Sequence, residues 1–295
     1  MIHLIDASVY VFRAYYSLPP EMRDTEGNSV HALYGFARML GDLVERVKPE
    51  YIAVAFDASL STSFRNQIYA PYKANRDPAP PDLHLQFERC RAWCGHMGIA
   101  WFDSAEFEAD DIIGTLATRM RGEGLRCTIV SRDKDLAQLI SPGDVYWDYA
   151  GDSRYHHGEI EERFGVAPDR YADYLALTGD AVDNIAGVPG VGPKTAAVLM
   201  RYFPSLDDLY ERIDVVRDLP VRGAAQLVER LLKHRQAAFL ARQLTRIRCD
   251  MELAVTRDHL RRRAPDMAAI DIFCTANGFG ALLSRQAARL PSTGT

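Results

Sequence analysis

Two kinds of hydrophobic pattern alternate along the first half of this chain. Short, nearly unbroken apolar runs occur at Ile2-His3-Leu4-Ile5, Tyr51-Ile52-Ala53-Val54-Ala55-Phe56, Ile99-Ala100-Trp101-Phe102 and Leu125-Arg126-Cys127-Thr128-Ile129-Val130, with a further short strand at Asp144-Val145-Tyr146-Trp147-Asp148. Such runs read as strands buried on both faces. Between them, apolar residues recur at helical spacing. Helices are predicted over residues 7–17, over 29–47 (Leu33, Phe36, Ala37, Leu40, Leu43, Val44, Val47), over 83–97, and from Glu108 through Ile112-Ile113-Gly114-Thr115-Leu116-Ala117. Strands alternating with helices predict an α/β fold with a parallel sheet. The pattern then changes. A helix leads from Glu159-Ile160 to about Gly165, another covers 170–177 with Tyr171, Tyr174, Leu175 and Leu177 on its apolar side, and Tyr155-His156-His157 reads as a surface turn or strand.

The acids fall where that pattern puts strand ends. Asp6, Asp57, Asp133 and Asp135 each follow an apolar run, and Glu108, Asp110 and Asp111 stand where a strand has passed into a helix. In parallel α/β sheets the ligand crevice lies outside the carboxyl ends of the strands. Seven carboxylates thus converge on one edge, and Asp180 and Asp183 add two more at i, i+3 spacing. Carboxylates held close raise one another's pKa, and a hard divalent cation relieves that repulsion through oxygen ligands. The competing reading of Glu108–Asp111 is a set of helix N-terminal acids favoured by the dipole. The glycine fingerprint of a dinucleotide site does not follow the first strand, so no nicotinamide or flavin is indicated.

Two further stretches carry candidate chemistry. Residues 59–81 interleave Phe64, Arg65, Tyr69, Tyr72, Lys73 and Arg76 with four prolines, as an insertion over the crevice would. Gly187-Val188-Pro189-Gly190-Val191-Gly192-Pro193-Lys194-Thr195 reads as a helix-hairpin-helix, with Pro193 at a first helical position. Gly190 and Gly192 let backbone N–H groups approach an anion, and a helix N-terminus with Lys194 and Thr195 favours phosphate. Such a grip reads no bases. The basic residues between 217 and 248 suit a solvated helix face about as well as nucleic-acid contact.

Composition narrows this only a little. With 295 residues, 47% hydrophobic and 25% charged, the chain is an ordinary globular protein. No apolar run reaches the roughly 18 residues of a membrane span. The N-terminus reads as a strand start rather than a signal peptide, so a cytoplasmic protein is expected. Five scattered cysteines do not form a disulfide framework. Cys90 and Cys94 with His84 and His96 lack a second pair at zinc-finger spacing, and buried thiols are the better reading. The net charge of −5 looks wrong for a nucleic-acid binder, but withdrawing nine carboxylates into one site leaves a slightly basic remainder. The tail after Leu290 is expected to fray.

Taken together, the chain resembles the 5′-nuclease family: the N-terminal nuclease domain of bacterial DNA polymerase I, phage 5′-exonucleases and flap endonucleases. The likeness rests on Leu4-Ile5-Asp6, Phe56-Asp57, Tyr72-Lys73-Ala74-Asn75-Arg76, Glu108-Ala109-Asp110-Asp111, Asp133-Lys134-Asp135, Leu177-Thr178-Gly179-Asp180 with Asp183-Asn184, and the hairpin from Gly187. It implies a PIN-like parallel-sheet core over 1–168 with a helical arch around 59–81. A helix-hairpin-helix (helix-3-turn-helix) subdomain over 169–260 and an extension over 261–295 would follow, in a freestanding, monomeric nuclease. By the same resemblance Asp6, Asp57, Glu108, Asp110 and Asp111 serve one metal site and Asp133, Asp135, Asp180 and Asp183 a second, for two Mg²⁺ or Mn²⁺ ions. Lys73 matches the basic residue over the scissile phosphate, with Tyr72 and Arg76 beside it, and Arg65 matches a basic, DNA-facing arch position. Backbone carbonyls of Leu177, Thr178, Ala186, Val188 and Val191 match a potassium site at the hairpin. Arg132 and Ala181-Val182 depart from the family pattern and bear on substrate preference. The implied activity is metal-dependent 5′-3′ exonuclease or flap-endonuclease cleavage of DNA, in a bacterial-type cytoplasm and on the nucleoid. Two rivals are a DNA-binding module without catalysis and a PIN-like ribonuclease. An aspartyl phosphatase would want a second Asp where Ser8 stands.

Overall fold

The structure, a computed structural model, describes residues 1–58 and 62–290; Ser59 to Ser61 of the expected arch and the expected frayed tail lie outside the described residues. β1 (Ile2–Asp6) is central. It pairs in parallel with β2 (Tyr51–Ala55) on one side and β4 (Cys127–Val130) on the other. β3 (Ala100–Phe102) extends the sheet beyond β2, and β5 (Val145–Asp148) beyond β4, both in parallel. The sheet order is β3-β2-β1-β4-β5-β6. β6 (Ser153–His156) is an antiparallel edge strand on β5. The hydrophobic pattern does not announce it, because its residues are polar and half exposed.

Both sheet faces are buried, and the alternation of side chains along each strand divides them. Ile5, Ile52 and Val54 face one core, shared with α1 (Ala7–Ser17), α2 (His31–Val47) and α4 (Pro81–His96). Ile2, Leu4, Tyr51, Ala53 and Ala55 face the other, against α5 (Ala109–Gly122). This period of two explains why the strands look continuously apolar. Cys90 and Cys94 are free thiols buried in the first core, pushed up in pKa by burial, while His96 stacks edge-on to Phe273.

Between β2 and α4 the arch segment holds one short helix, α3 (Phe64–Ile68). After α6 (His157–Phe164) the chain builds a helical domain. It comprises α7 (Tyr171–Thr178), the small hairpin β7 (Gly179–Asp180) and β8 (Ile185–Ala186), α8 (Pro193–Tyr202), α9 (Leu206–Glu211), α10 (Ala224–Lys233) and α11 (Arg235–Thr245). Its core runs from Val166 to Leu244 and takes in Tyr72 of the arch. The chain then returns to the first domain. Ile247, Met251 and Leu260 join the α5 face of the sheet. Within the expected extension, α12 (Met267–Ala276) and α13 (Leu282–Ala288) pack Ile270, Cys274, Leu283 and Ala287 into the α1–α2 core. No helix of the described residues is long and apolar enough to cross a membrane.

Gly114 shows how tightly the returning segment is held. A Cβ there would lie 2.9 Å from the Arg248 carbonyl, the Cys249 Sγ and Ile247 Cγ2. In an open helix Gly→Ala stabilises; here overpacking decides the sign. Gly114→Ala should cost about 1–3 kcal/mol. Gly122→Ala, at a position with nothing within 4 Å, should be neutral or stabilising by up to about 1 kcal/mol. Urea unfolding of both variants checks this, and a stabilised Gly114→Ala would refute it.

Candidate active site

Strand order reverses at β1: the chain first builds outward through β2 and β3, then places β4 on the other side. A crevice opens at such a switch point, outside the strand C-termini. Here it is a cleft of about 620 Å³ lined by Asp6, Asp57, Glu108, Asp110, Asp133, Asp135, Asp180 and Asp183. Short polar links fix its floor. Ser131 Oγ donates to Asp6 Oδ2 at 2.7 Å and accepts the Asp133 N–H at 2.9 Å. Asp57 Oδ1 accepts the Ala109 N–H at 2.9 Å, tying the β2 end to the start of α5. Asp133 Oδ1 accepts from Asp135 N–H at 2.9 Å, and Asp180 Oδ1 from Val182 N–H at 2.8 Å. Among the described residues, the Asp110 carboxylate has no hydrogen-bond or ion-pair partner.

The electrostatics follow from this crowding. Burial, and then the Asp57 charge, push Asp6 up to about 7. Burial, and then Asp133, do the same to Asp135, also to about 7. Asp110 is raised well above the carboxylate range by burial and by Asp133, Asp6 and Asp57.

Basic side chains stand against the acids. Lys73 Nζ donates to Glu108 Oε1 at 2.8 Å. The Tyr72 hydroxyl lies between Glu108 Oε2 at 3.0 Å and Asp183 Oδ2 at 3.1 Å. Arg76 pairs with Asp183. Lys134 Nζ bonds Asp180 and lies 3.1 Å from Asp135 Oδ1. As these side chains stand, no three acids among the described residues are close enough together to hold one ion between them. The donor set nonetheless fits a hard divalent cation: all oxygen, crowded, and with one carboxylate unpartnered.

The turn carrying Lys73 is stitched to the loop carrying Asp183. Lys73 adopts a left-handed φ of 55° and donates its backbone N–H to the Asp183 carbonyl at 3.0 Å. Asn184, at φ 57°, donates its side-chain amide to the Pro71 carbonyl at 2.7 Å, and Asn75 donates to the Ala181 carbonyl at 2.9 Å. Lys73 and Arg76 also line a second cavity of about 640 Å³, with Asn66, Asp77 and His84. The turn therefore divides two open spaces.

Two expected site residues are placed differently. Asp111 does not line the cleft; it is fully buried. Its oxygens accept from Glu108 N–H at 3.0 Å, Arg248 N–H at 2.8 Å, and Arg65 Nη1 and Nη2 at 2.7 and 2.8 Å. Arg65 is correspondingly buried, not presented to DNA. Its Nε donates to the Leu244 carbonyl at 2.8 Å. Burial opposes its charge, but the Asp111 pairing outweighs this and raises its pKa. Of the three acids opening α5, Glu108 and Asp110 face the cleft, while Asp111 caps the helix. Glu108, the N-cap of α5, and Asp111 together form a capping box, so Glu108 serves the helix start as well as the cleft.

At the hairpin, Gly192 and Lys194 are exposed and Thr195 is half-buried. Gly190 has a left-handed φ of 77°, and a Cβ there would stand 2.4 Å from Arg230 Nη1 of α10. Of the expected potassium carbonyls, Leu177 accepts from Val188 N–H at 2.9 Å and Val188 from Val191 N–H at 3.0 Å. Thr178 ends α7 just before β7, and Ala186 lies in β8, paired with Gly179.

Sequence reading missed Val9, Phe12, Arg13 and Tyr16, which line the cleft from α1. A signal existed: a helix that starts directly at a cleft acid must present one i, i+3, i+4, i+7 stripe to that cleft.

Residues 1–165 match the family model described as 5′-3′ exonuclease, N-terminal resolvase-like domain, and residues 166–268 match 5′-3′ exonuclease, C-terminal SAM fold. DNA polymerase I of Rhizobium leguminosarum is 39% identical over 266 residues, which is 88% of this chain and 26% of that protein. The chain thus spans about a quarter of that relative's length. The 5′-3′ exonuclease of Aquifex aeolicus (strain VF5) is 33% identical over 267 residues, 90% of this chain and 88% of that one. Among solved structures, a bacteriophage T5 flap endonuclease complex with DNA and metal ions superposes with a TM-score of 0.66 at 18% identity, covering 98% of this chain and 99% of that one. That likeness shows a shared fold.

The crowded carboxyls set a pH dependence. Folded Asp6 and Asp135 hold protons up to about 7, against an ordinary value of 3.8. The folded state therefore binds more protons than the unfolded chain between those values, so stability falls as pH rises through 7. In a chelator, thermal unfolding should occur at higher temperature at pH 5.5 than at pH 8. At pH 8, Asp110→Asn should raise Tm by roughly 2–4 °C, the shift about 1 kcal/mol produces at this size. A flat pH profile, or a destabilised Asp110→Asn, would contradict the repulsion.

Proposed function

Because the chain belongs to the 5′-3′ exonuclease family, we propose that it is a structure-selective 5′-3′ exonuclease and flap endonuclease that hydrolyses DNA phosphodiesters with two divalent ions. The observation that carries this reading is the cleft itself: eight carboxylates facing Lys73 and Arg76. Asp6, Asp57, Glu108 and Asp110 would hold one ion, and Asp133, Asp135, Asp180 and Asp183 the other, with Mg²⁺ or Mn²⁺ suited to all-oxygen ligands. Bound there, such ions supply Lewis acidity to the phosphate and a lowered pKa to the attacking water.

The chain's own residues supply the rest. Lys73 offsets charge that develops on the phosphate, where a prepositioned cation is worth most. Tyr72 orients Glu108 and Asp183 through one hydroxyl. Phe12 and Tyr16 offer stacking surfaces for unpaired bases on the cleft wall. The space beyond Lys73 and Arg76 leaves a single-stranded 5′ end somewhere to go. The hairpin with Lys194, Thr195 and Arg230 grips the duplex backbone, and a monovalent ion such as potassium at its carbonyls would strengthen that grip. Products would carry a 5′-phosphate. The partner would be DNA with 5′ ends or flaps, met by a monomer on the bacterial nucleoid.

End-labelled flap, nicked, gapped and single-stranded DNAs, with single-stranded RNA alongside, test this with and without Mg²⁺. Flap DNA should be cut only with Mg²⁺. Asp110→Ala should abolish cutting yet still bind flaps, and Lys73→Ala should slow it by about 10²–10³-fold. Arg230→Ala should weaken binding and reduce the salt slope by about 1, with little change in single-turnover rate. Tight binding without Mg²⁺-dependent cleavage would instead mark a binding module, and preference for RNA a ribonuclease.

A further inference from the structure

Lys134 stands between two acids in sequence and over two acids in space. It opens the 3₁₀ turn Lys134–Leu139, between Asp133 and Asp135. Its ammonium lies 3.1 Å from Asp135 Oδ1 and bonds Asp180 Oδ2. The Lys134 side chain is 46% exposed, whereas those of Asp135 and Asp180 are 16% and 6% exposed. The charge thus reaches down from solvent onto buried oxygens. It differs from Lys73 and Arg76, which stand on the turn between two cavities where a phosphate would pass. Lys134 binds acids from two separate segments, 133–135 and 180–183, that would together form the second carboxylate set.

An ammonium has one charge and three donors and no other means of holding two carboxylates. A divalent ion coordinated by Asp135 and Asp180 would use the same oxygens. We propose that Lys134 is an internal counter-cation of the second carboxylate set, which competes with a divalent ion for Asp135 and Asp180 and swings to solvent when that ion loads. This rests on the metal-dependent reading above. It makes the second set the weaker one by construction: Asp135 and Asp180 share one ammonium and Asp183 pairs with Arg76, whereas in the first set only Glu108 has a cationic partner among the described residues.

Mn²⁺ binding to the full chain, followed by electron paramagnetic resonance and calorimetry without DNA, tests the competition. In Lys134→Met the weaker Mn²⁺ phase should tighten about three- to tenfold, the size expected for displacing partly exposed ion pairs. Arg13→Met removes the same charge from the cleft wall without touching an acid, and it should tighten that phase less than twofold. Thermal unfolding gives a second readout. Lys134→Met should melt lower than wild type in chelator and gain more than wild type from added Mn²⁺, as tighter binding requires. Lys134→Gln serves if the Met variant does not fold. Equal tightening in both charge variants, or none in Lys134→Met, overturns the role of Lys134. Wild-type chain that binds no Mn²⁺ overturns the metal-dependent reading itself.

Discussion

Like charges brought together at the ends of parallel strands are the constraint on which this structure turns. β1 ends in Asp6, the chain reaches Asp57 just past β2, and Asp133 follows β4, so the sheet fixes three carboxylates by backbone alone. Hydrophobic burial on both faces makes that placement rigid, and it also makes it costly, because buried carboxylates resist ionisation. Opposite charge must come from elsewhere in the chain. It arrives from the arch as Lys73 and Arg76, and from the 3₁₀ turn as Lys134.

The Arg65–Asp111 pair solves a neighbouring problem in a different way. A buried ion pair stabilises only if its geometry is good and its remaining donors are satisfied. Here the pairing is bidentate, and Arg65 also donates to the Leu244 and Arg246 carbonyls. One side chain thereby joins the arch, the start of α5 and the end of α11.

Much of this was legible in the order of residues. Strands ending in Asp gave the cleft its location, and the glycine-bracketed hairpin gave the helical domain its centre. What could not be read was the direction of individual side chains. Asp110 and Asp111 are adjacent and chemically identical, and it is the partners of Asp111 (the Glu108 N–H, Arg65 folded in from 46 positions earlier, and the Arg248 N–H) that separate a cleft acid from a helix cap. Arg65 looks like any arch cation until its burial is known. Lys134 stands between two acids, and sequence position alone does not tell a solvated lysine from one bonded to Asp135 and Asp180. The return of 247–260 and of α12 and α13 to the first domain carries no local signal, because packing partners more than 100 residues apart leave no periodicity of their own.

The stitching between the Lys73 turn and the Asp183 loop has a mechanical consequence. Lys73 and Asn184 are both left-handed, each anchored on the other's segment, and Tyr72 is buried in the helical domain's core. Lys73 is therefore carried by the helical domain as well as by the arch. A tilt of that domain would swing the ammonium relative to the sheet; on the nuclease reading proposed above, seating a duplex and aligning the attacked phosphate would then be a single lever stroke.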